Sequence, residues 1–168
     1  MILTANEIIT NVSSKGLDSD LILDAYIISA ENKYFSNFFG RKFYNEVVND
    51  SGSNYDDFID LLKPALSFYT MYNCFWNIHV ETGDRGNFTL AGQNQQTIDL
   101  ATAKEKRNNF LDTANSLMIS VLDYIYSEIE SSNTYFTNYF TDADIDNFYK
   151  LFTKVTIKSN AKHNTQII

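Results

Sequence analysis

Few side chains in this sequence could do chemistry, and their spacing works against most of the reactions they could support. The single cysteine, Cys74, lies five residues before His79, one of two histidines. A thiolate–imidazole pair needs the two side chains in hydrogen-bond contact. Five residues along a helix turn the second side chain about 140° away from the first, so this pair does not form. Cys74 therefore reads as a small buried hydrophobe. His79 and His163 have no cysteine, histidine or carboxylate beside them at metal-ligand spacing.

Asp142-x-Asp144-x-Asp146 begins like a calcium loop. Such a loop then requires glycine at its sixth position and glutamate at its twelfth. Asn147 and Thr153 stand there instead. A helix N-terminus suits the three acids better, because the helix dipole favours negative charge in the first turn. Gly83-Asp84-Arg85-Gly86 is not a phosphate loop, since no Gly-Lys-Ser/Thr follows. Lys104, Lys106 and Arg107 read as a solvated basic face. No spacing ties two of the 21 acids into a pair. The expectation is a protein that is not an enzyme, with no catalytic residue, no metal ligand and no cofactor.

The rest of the composition sets the frame for these residues. A chain of 168 residues is of single-domain size. Its 44% apolar and 20% charged residues are ordinary for a globular protein. Apolar runs fall far short of the ~20 residues needed to cross a bilayer. No basic segment precedes an apolar stretch at the start, so no secretory leader is expected. One cysteine forms no internal disulfide. Six glycines and one proline are too few for a sandwich or barrel with many tight turns.

Net charge is −8, unfavourable for general DNA binding, where basic groups must neutralise phosphates. The charge is unevenly placed. Between Asn108 and Asn147 there are seven acids and no lysine or arginine. From Lys150 onward there are four lysines, at 150, 154, 158 and 162, and no acid. The body thus carries −12 and the tail +4.

Periodicity predicts helices along most of the chain. Residues 1–16 read as a short lead-in, either a brief helix or an extended segment. A helix is expected from Asp18 or Ser19 to Phe39, with Leu21, Ala25, Ile28, Asn32, Phe35 and Phe39 on one stripe. Gly40 would end it in a left-handed conformation. A short helix over Arg41–Asn49 and a loop over Asp50–Asn54 follow. Pro64 splits the next stretch into a helix ending near Leu62 and another over 63–80. Residues 82–97 read as a projecting loop with a short strand at Phe88–Leu90. A long helix starts at Thr102, whose spacing to Glu105 suggests a capping box, or as early as Thr97, and runs to Ile129. Residues 131–141 break the pattern, and a final helix spans 142–152. The tail suggests a strand or an arm.

The expected architecture is all-α, a bundle of about five or six helices. It comprises a helical domain over 1–152 and an extended C-terminal arm over 153–168. The expected core includes Leu21, Ala25, Ile28, Phe35, Leu62, Leu66, Tyr69, Trp76, Leu111, Ala114, Leu117, Val121 and Ile125.

The order of features also carries a resemblance. Asp20-Leu-Ile-Leu-Asp-Ala-Tyr-Ile-Ile-Ser-Ala-Glu31 is followed by Tyr34 and by Phe39-Gly-Arg-Lys-Phe-Tyr44. Then come Leu61-Leu-Lys-Pro-Ala-Leu-Ser-Phe-Tyr69, Tyr72 and His79-Val-Glu-Thr-Gly83, a polar loop and a long helix. Over roughly residues 17–130 this resembles the small helical head–tail connector proteins of tailed bacteriophages, also called adaptor, ring or head-completion proteins. It looks most like the longer versions in crAss-like phages.

The resemblance implies a virion protein at the neck, made in the host cytoplasm. Its homo-oligomeric ring, commonly of twelve copies, docks on the portal protein and meets neighbouring ring or tail proteins. DNA passes through the ring without specific binding, and an acidic lining would suit that passage. No membrane and no cofactor are involved. Residues expected at subunit interfaces are Arg85, Phe88 and Leu90 in the loop, Tyr135, Phe136 and Tyr139 in the aromatic segment, and Val155, Ile157 and Lys158 in the arm.

Two other classes compete. A small helical adaptor or regulator would be a monomer or dimer binding one partner through its aromatic surface. A helical enzyme would show a concave pocket holding two or more acids of raised pKa.

Overall fold

The computed structural model describes residues 1–12, 17–83, 86–89 and 100–151, with backbone alone for 79–83 and 86–89. The protein is an all-α helical bundle carrying a small β-hairpin. Among the described residues six helices have seven residues or more. They are α1 (Ala5–Asn11), α2 (Asp24–Glu31), α4 (Arg41–Asn49), α5 (Asp56–His79), α6 (Leu100–Glu130) and α8 (142–151). Single turns α3 (Asn37–Phe39) and α7 (Thr134–Thr137) lie between them. The chain divides into two compact units, Met1–Leu117 and Met118–Ile168. The expected domain boundary at 152/153 lies outside the described residues.

In the first unit α5 is the central element, with α1 and α2 both packed on it. The lead-in is a helix because Thr4 caps it. The Thr4 hydroxyl accepts from the Glu7 N–H, and the Glu7 carboxylate accepts from the Thr4 N–H at 2.8 Å. Leu3 and Ile8 are buried. Across to α5, the Glu7 carboxylate pairs with the Lys63 ammonium at 2.7 Å, and the Asn11 amide donates to the Ser67 hydroxyl at 2.9 Å. Glu31, almost wholly buried, ties the chain before α1 to α2. It accepts from the Ile2 N–H at 2.7 Å and from the Leu3 N–H and the Tyr44 hydroxyl at 3.3 Å each.

The expected helix from Asp18 to Phe39 is in fact four pieces, the last of them α3. A 3-10 turn spans Ser19–Leu21, capped by Asp18, and α2 starts only at Asp24. A π turn then spans Asn32–Ser36. A π turn holds one residue more than an α turn, so it shifts the buried face by one position. Phe35 and Phe39 face inward as expected. Before the turn the inward residues are Ile27, Ala30 and Glu31, while Leu21, Ala25 and Ile28 are exposed. Gly40, at φ 93° and ψ 139°, joins α3 to α4 in a conformation that L side chains rarely adopt. Phe35, Phe39, Phe43 and Phe58 then form an aromatic cluster, mostly edge to face, with the Phe43 and Phe58 centroids 5.4 Å apart.

Pro64 does not divide α5, which runs unbroken from Asp56 to His79. An interior proline costs ~3 kcal/mol in lost N–H bonding and crowding. Phe58, Leu62 and Leu66 flank it and are wholly buried. At ~1.5–3 kcal/mol each, their burial outweighs that cost. Trp76, expected in the core, is half-buried.

Beyond His79 the chain turns directly into β1 (Val80–Gly83), antiparallel to β2 (Gly86–Thr89). Phe88 pairs with Glu81 and Gly83 with Gly86. The expected strand at Phe88 is therefore half of a hairpin, and its first strand lies where helix and loop were expected. Residues 90–99, the rest of the expected loop, lie outside the described residues.

Helix α6 is already formed at Leu100, so Thr102 lies within its first turn rather than at its cap. Leu111 and Leu117 are half-buried; Ala103 and Ala114 are the buried positions of its first half.

In the second unit Met118, Val121, Leu122 and Ile125 are buried. The segment after α6 departs from helical periodicity for a definite reason. Ser132 takes a left-handed φ of 61°. The Asn133 N–H donates to Glu128 and the Ser132 N–H to Ile129, a Schellman closure with serine in the usual glycine position. Asn133 then caps α7 by accepting from the Tyr135 N–H. Thr141 and Asp144 form a reciprocal cap at the start of α8, where the Thr141 N–H donates to the Asp144 carboxylate at 2.9 Å.

Candidate interaction surface

The one-residue shift at the π turn has a surface consequence. Leu21, Ala25 and Ile28 recur at helical spacing, yet they lie on the outer face of the Ser19–Glu31 segment. Leu21 is 43% exposed, Ile28 49%, and neighbouring Leu23 56%. Two shallow grooves flank this face. One, of about 600 Å³, runs along the π turn past Ala25, Ile28, Ser29, Asn32, Lys33 and Asn37. The other, of about 360 Å³, lies beside the start of α1, lined by Thr4, Asn6, Ser19, Asp20, Leu23 and Asp24. Asp18, Asp20 and Asp24 are exposed there. At the far end the Lys33 ammonium sits 4.7 Å over the Tyr34 ring. The face is thus apolar along its length and acidic at its N-terminal end.

Of the residues expected at interfaces, Tyr135 is 43% exposed and Tyr139 half-buried. Phe136 corrects the expectation. It is wholly buried, edge-on to Tyr124 with centroids 5.8 Å apart, and serves the core of its own unit. Phe88 sits in β2, and only its backbone is described. Arg85, Leu90, Val155, Ile157 and Lys158 lie outside the described residues. Tyr126 and Leu151 add exposed apolar surface to the second unit. There the Tyr149 hydroxyl donates to the Asp123 carboxylate. Burial, with Asp123 adding to it, pushes the Tyr149 hydroxyl above its ordinary range.

Three of the groups considered for chemistry, Cys74, Arg107 and Asp144, have structural duties. Cys74 is wholly buried, and burial pushes its thiol up to about 12. Arg107 does not belong to a solvated face. Its guanidinium lies 3.8 Å over the Tyr72 ring, and its Nε donates to the Tyr72 carbonyl at 3.1 Å. Asp144 is occupied in capping α8. Among the described residues no group of three or more His, Cys, Asp or Glu is placed to hold a metal ion. None of the helices there is long and apolar enough to cross a membrane.

Among the described residues three carboxylates have shifted acidity, and all three shift downward. The Lys63 ammonium holds Glu7 down, and hydrogen bonds from Thr141 hold Asp144 down. At Asp50 desolvation works upward, but donors from Asn54, Gly52 and Tyr55 outweigh it. A general acid needs the opposite direction.

Periodicity had assigned the α2 face to the core. The one hint against that reading is Asn32, the polar residue interrupting the stripe, where the π turn begins.

The fold and its exposed helix face define a class, an all-α bundle with an exposed apolar surface. Within that class the chain belongs to DUF6712, a family of unknown function, whose pattern matches residues 19–148. No curated protein and no solved structure matches it.

Proposed function

We propose that this protein is a structural subunit of a tailed-phage virion. In this reading copies of the chain form a ring at the portal vertex, commonly of twelve, joining capsid to tail around the DNA channel. The protein does no catalysis. The observation that carries the reading is the outward stripe of Leu21, Ala25 and Ile28. Contiguous exposed apolar surface marks a place where another protein binds. A ring gives every copy such a neighbour. The acidic body, which would repel rather than retain DNA, supports the channel role. The resemblance of residues 17–130 to connector proteins supplies the location.

Cryo-electron microscopy of intact virions tests this. The expected result is a ring of this chain at the neck, with the α2 face between subunits. Absence of the chain from intact virions overturns the reading and leaves a helical adaptor for one partner protein in its place.

A further inference from the structure

The α2 face has a chemistry of its own, and one segment of the chain complements it. The groove beside α1 presents two exposed carboxylates, Asp20 and Asp24, with Leu23 between them in sequence and 56% exposed. Asp18 adds a third acid at the same end. Among the described residues Lys33, on the π turn, is the nearest exposed cation in sequence, and it lies over Tyr34. An occupant of this groove should be cationic, free of acids and partly apolar. Residues 152–168 have that composition. They carry Lys154, Lys158 and Lys162, the β-branched Val155 and Ile157, and no acid.

We propose that the C-terminal segment 152–168 of one copy docks on the α2 face of a second copy. Its lysines would meet Asp20 and Asp24, and its apolar side chains would cover Leu21, Leu23 and Ile28. Charge complementarity of this kind selects the partner and fixes its orientation. Docking of segment onto face uses two different surfaces of the same chain. Such a head-to-tail contact propagates from copy to copy and closes a ring when the rotation permits. The inference rests on the ring reading above and names the contact that would hold the ring.

The probe is a fluorescent peptide of residues 152–168. It is titrated onto full-length protein carrying Lys154→Glu and Lys158→Glu, so that the protein's own segment does not compete. Saturable binding is expected. It should weaken roughly three- to tenfold when Asp20→Asn and Asp24→Asn are added, as for two exposed ion pairs, and weaken as salt is raised. No saturable binding, or an affinity indifferent to both aspartates, overturns the proposal.

A second measurement decides which copy is occupied. Full-length protein with Leu23→Cys and Ile157→Cys is oxidised and weighed, Cys74 being buried. Cross-linked species of two or more chain masses are expected. A cross-link confined to single-chain mass would place the segment on its own copy and overturn docking in trans. Failure of the ring reading is seen separately, as absence of the chain from virions while the peptide still binds.

Discussion

Tyr34 and Tyr69 stack face to face, with ring centroids 3.6 Å apart and planes 5° from parallel. Tyr34 belongs to the π turn and Tyr69 to the middle of α5. The stack therefore joins the element that shifts the helical register to the element around which the first unit is built. The Tyr69 hydroxyl extends the connection by donating to Asn115 of α6 at 2.8 Å. Burial, with Tyr34 beside it, pushes that hydroxyl well above the ordinary tyrosine range, so it is a donor at every physiological pH.

Substitution at Tyr69 separates the ring from the hydroxyl. Tyr69→Phe keeps the stack and removes one buried hydrogen bond, which should cost about 1 kcal/mol. Tyr69→Ala removes the ring and leaves a cavity, at ~3–5 kcal/mol. Urea unfolding of both variants checks the order. Equal losses would mean that the hydroxyl, and not the stack, dominates.

Cys74 should be unreactive in the native protein. A thiol with a pKa near 12 is almost entirely protonated at pH 8, and the thiolate is the reactive species. Its side chain is also wholly covered. Alkylation by iodoacetamide should follow the rate of unfolding as denaturant is varied. Fast labelling without denaturant would contradict the buried position.

Glu7 gives stability an acid limb. The folded state holds its carboxyl below the ordinary value of 4.5, chiefly through Lys63. The contribution is therefore complete above about pH 4.5 and is lost as pH falls through the depressed folded value. The pair is partly exposed, so the effect is small, ~0–1 kcal/mol. Glu7→Gln should flatten the fall in stability below pH 4.5 while leaving the profile above it parallel to wild type. A steeper acid limb in the variant would exclude the assignment.

Local chemistry was readable from the residues, and competition between interactions was not. The helix over Arg41–Asn49 and the loop after it follow from Gly40 and from Asp50, whose carboxylate gathers the Gly52 and Asn54 N–H groups. Burial of Phe35, Leu62, Leu66, Tyr69, Ala114, Val121 and Ile125 follows from periodicity. Pro64 misleads because its local penalty is visible in sequence, whereas the packing of Phe58, Leu62 and Leu66 that offsets it is tertiary. Ser132 conceals a helix end because its neighbours are closed by a backbone motif that usually announces itself with glycine. The α2 face was the least legible part. A π turn changes phase without changing composition, so an outward stripe and an inward one look alike until the extra residue is seen.

That phase shift makes adjacent isoleucines predict opposite outcomes. Ile27 is wholly buried and Ile28 is 49% exposed. Ile27→Ala should cost ~2–5 kcal/mol, the range for emptying a packed position. Ile28→Lys places a charge on the outer face and should change stability by no more than about 0.5 kcal/mol. Its effect belongs to assembly, because a lysine there removes apolar contact from the face that a second copy is proposed to cover. Thermal unfolding together with native mass spectrometry resolves the two. The expected pattern is a lowered midpoint for Ile27→Ala, and an unchanged midpoint with weakened self-association for Ile28→Lys. A continuous α-helix through Ser36 would reverse the stability order, since Ile28 would then face inward with Phe35 and Phe39. Loss of stability at residue 28 would therefore remove the π turn and, with it, the exposed face on which the assembly reading stands.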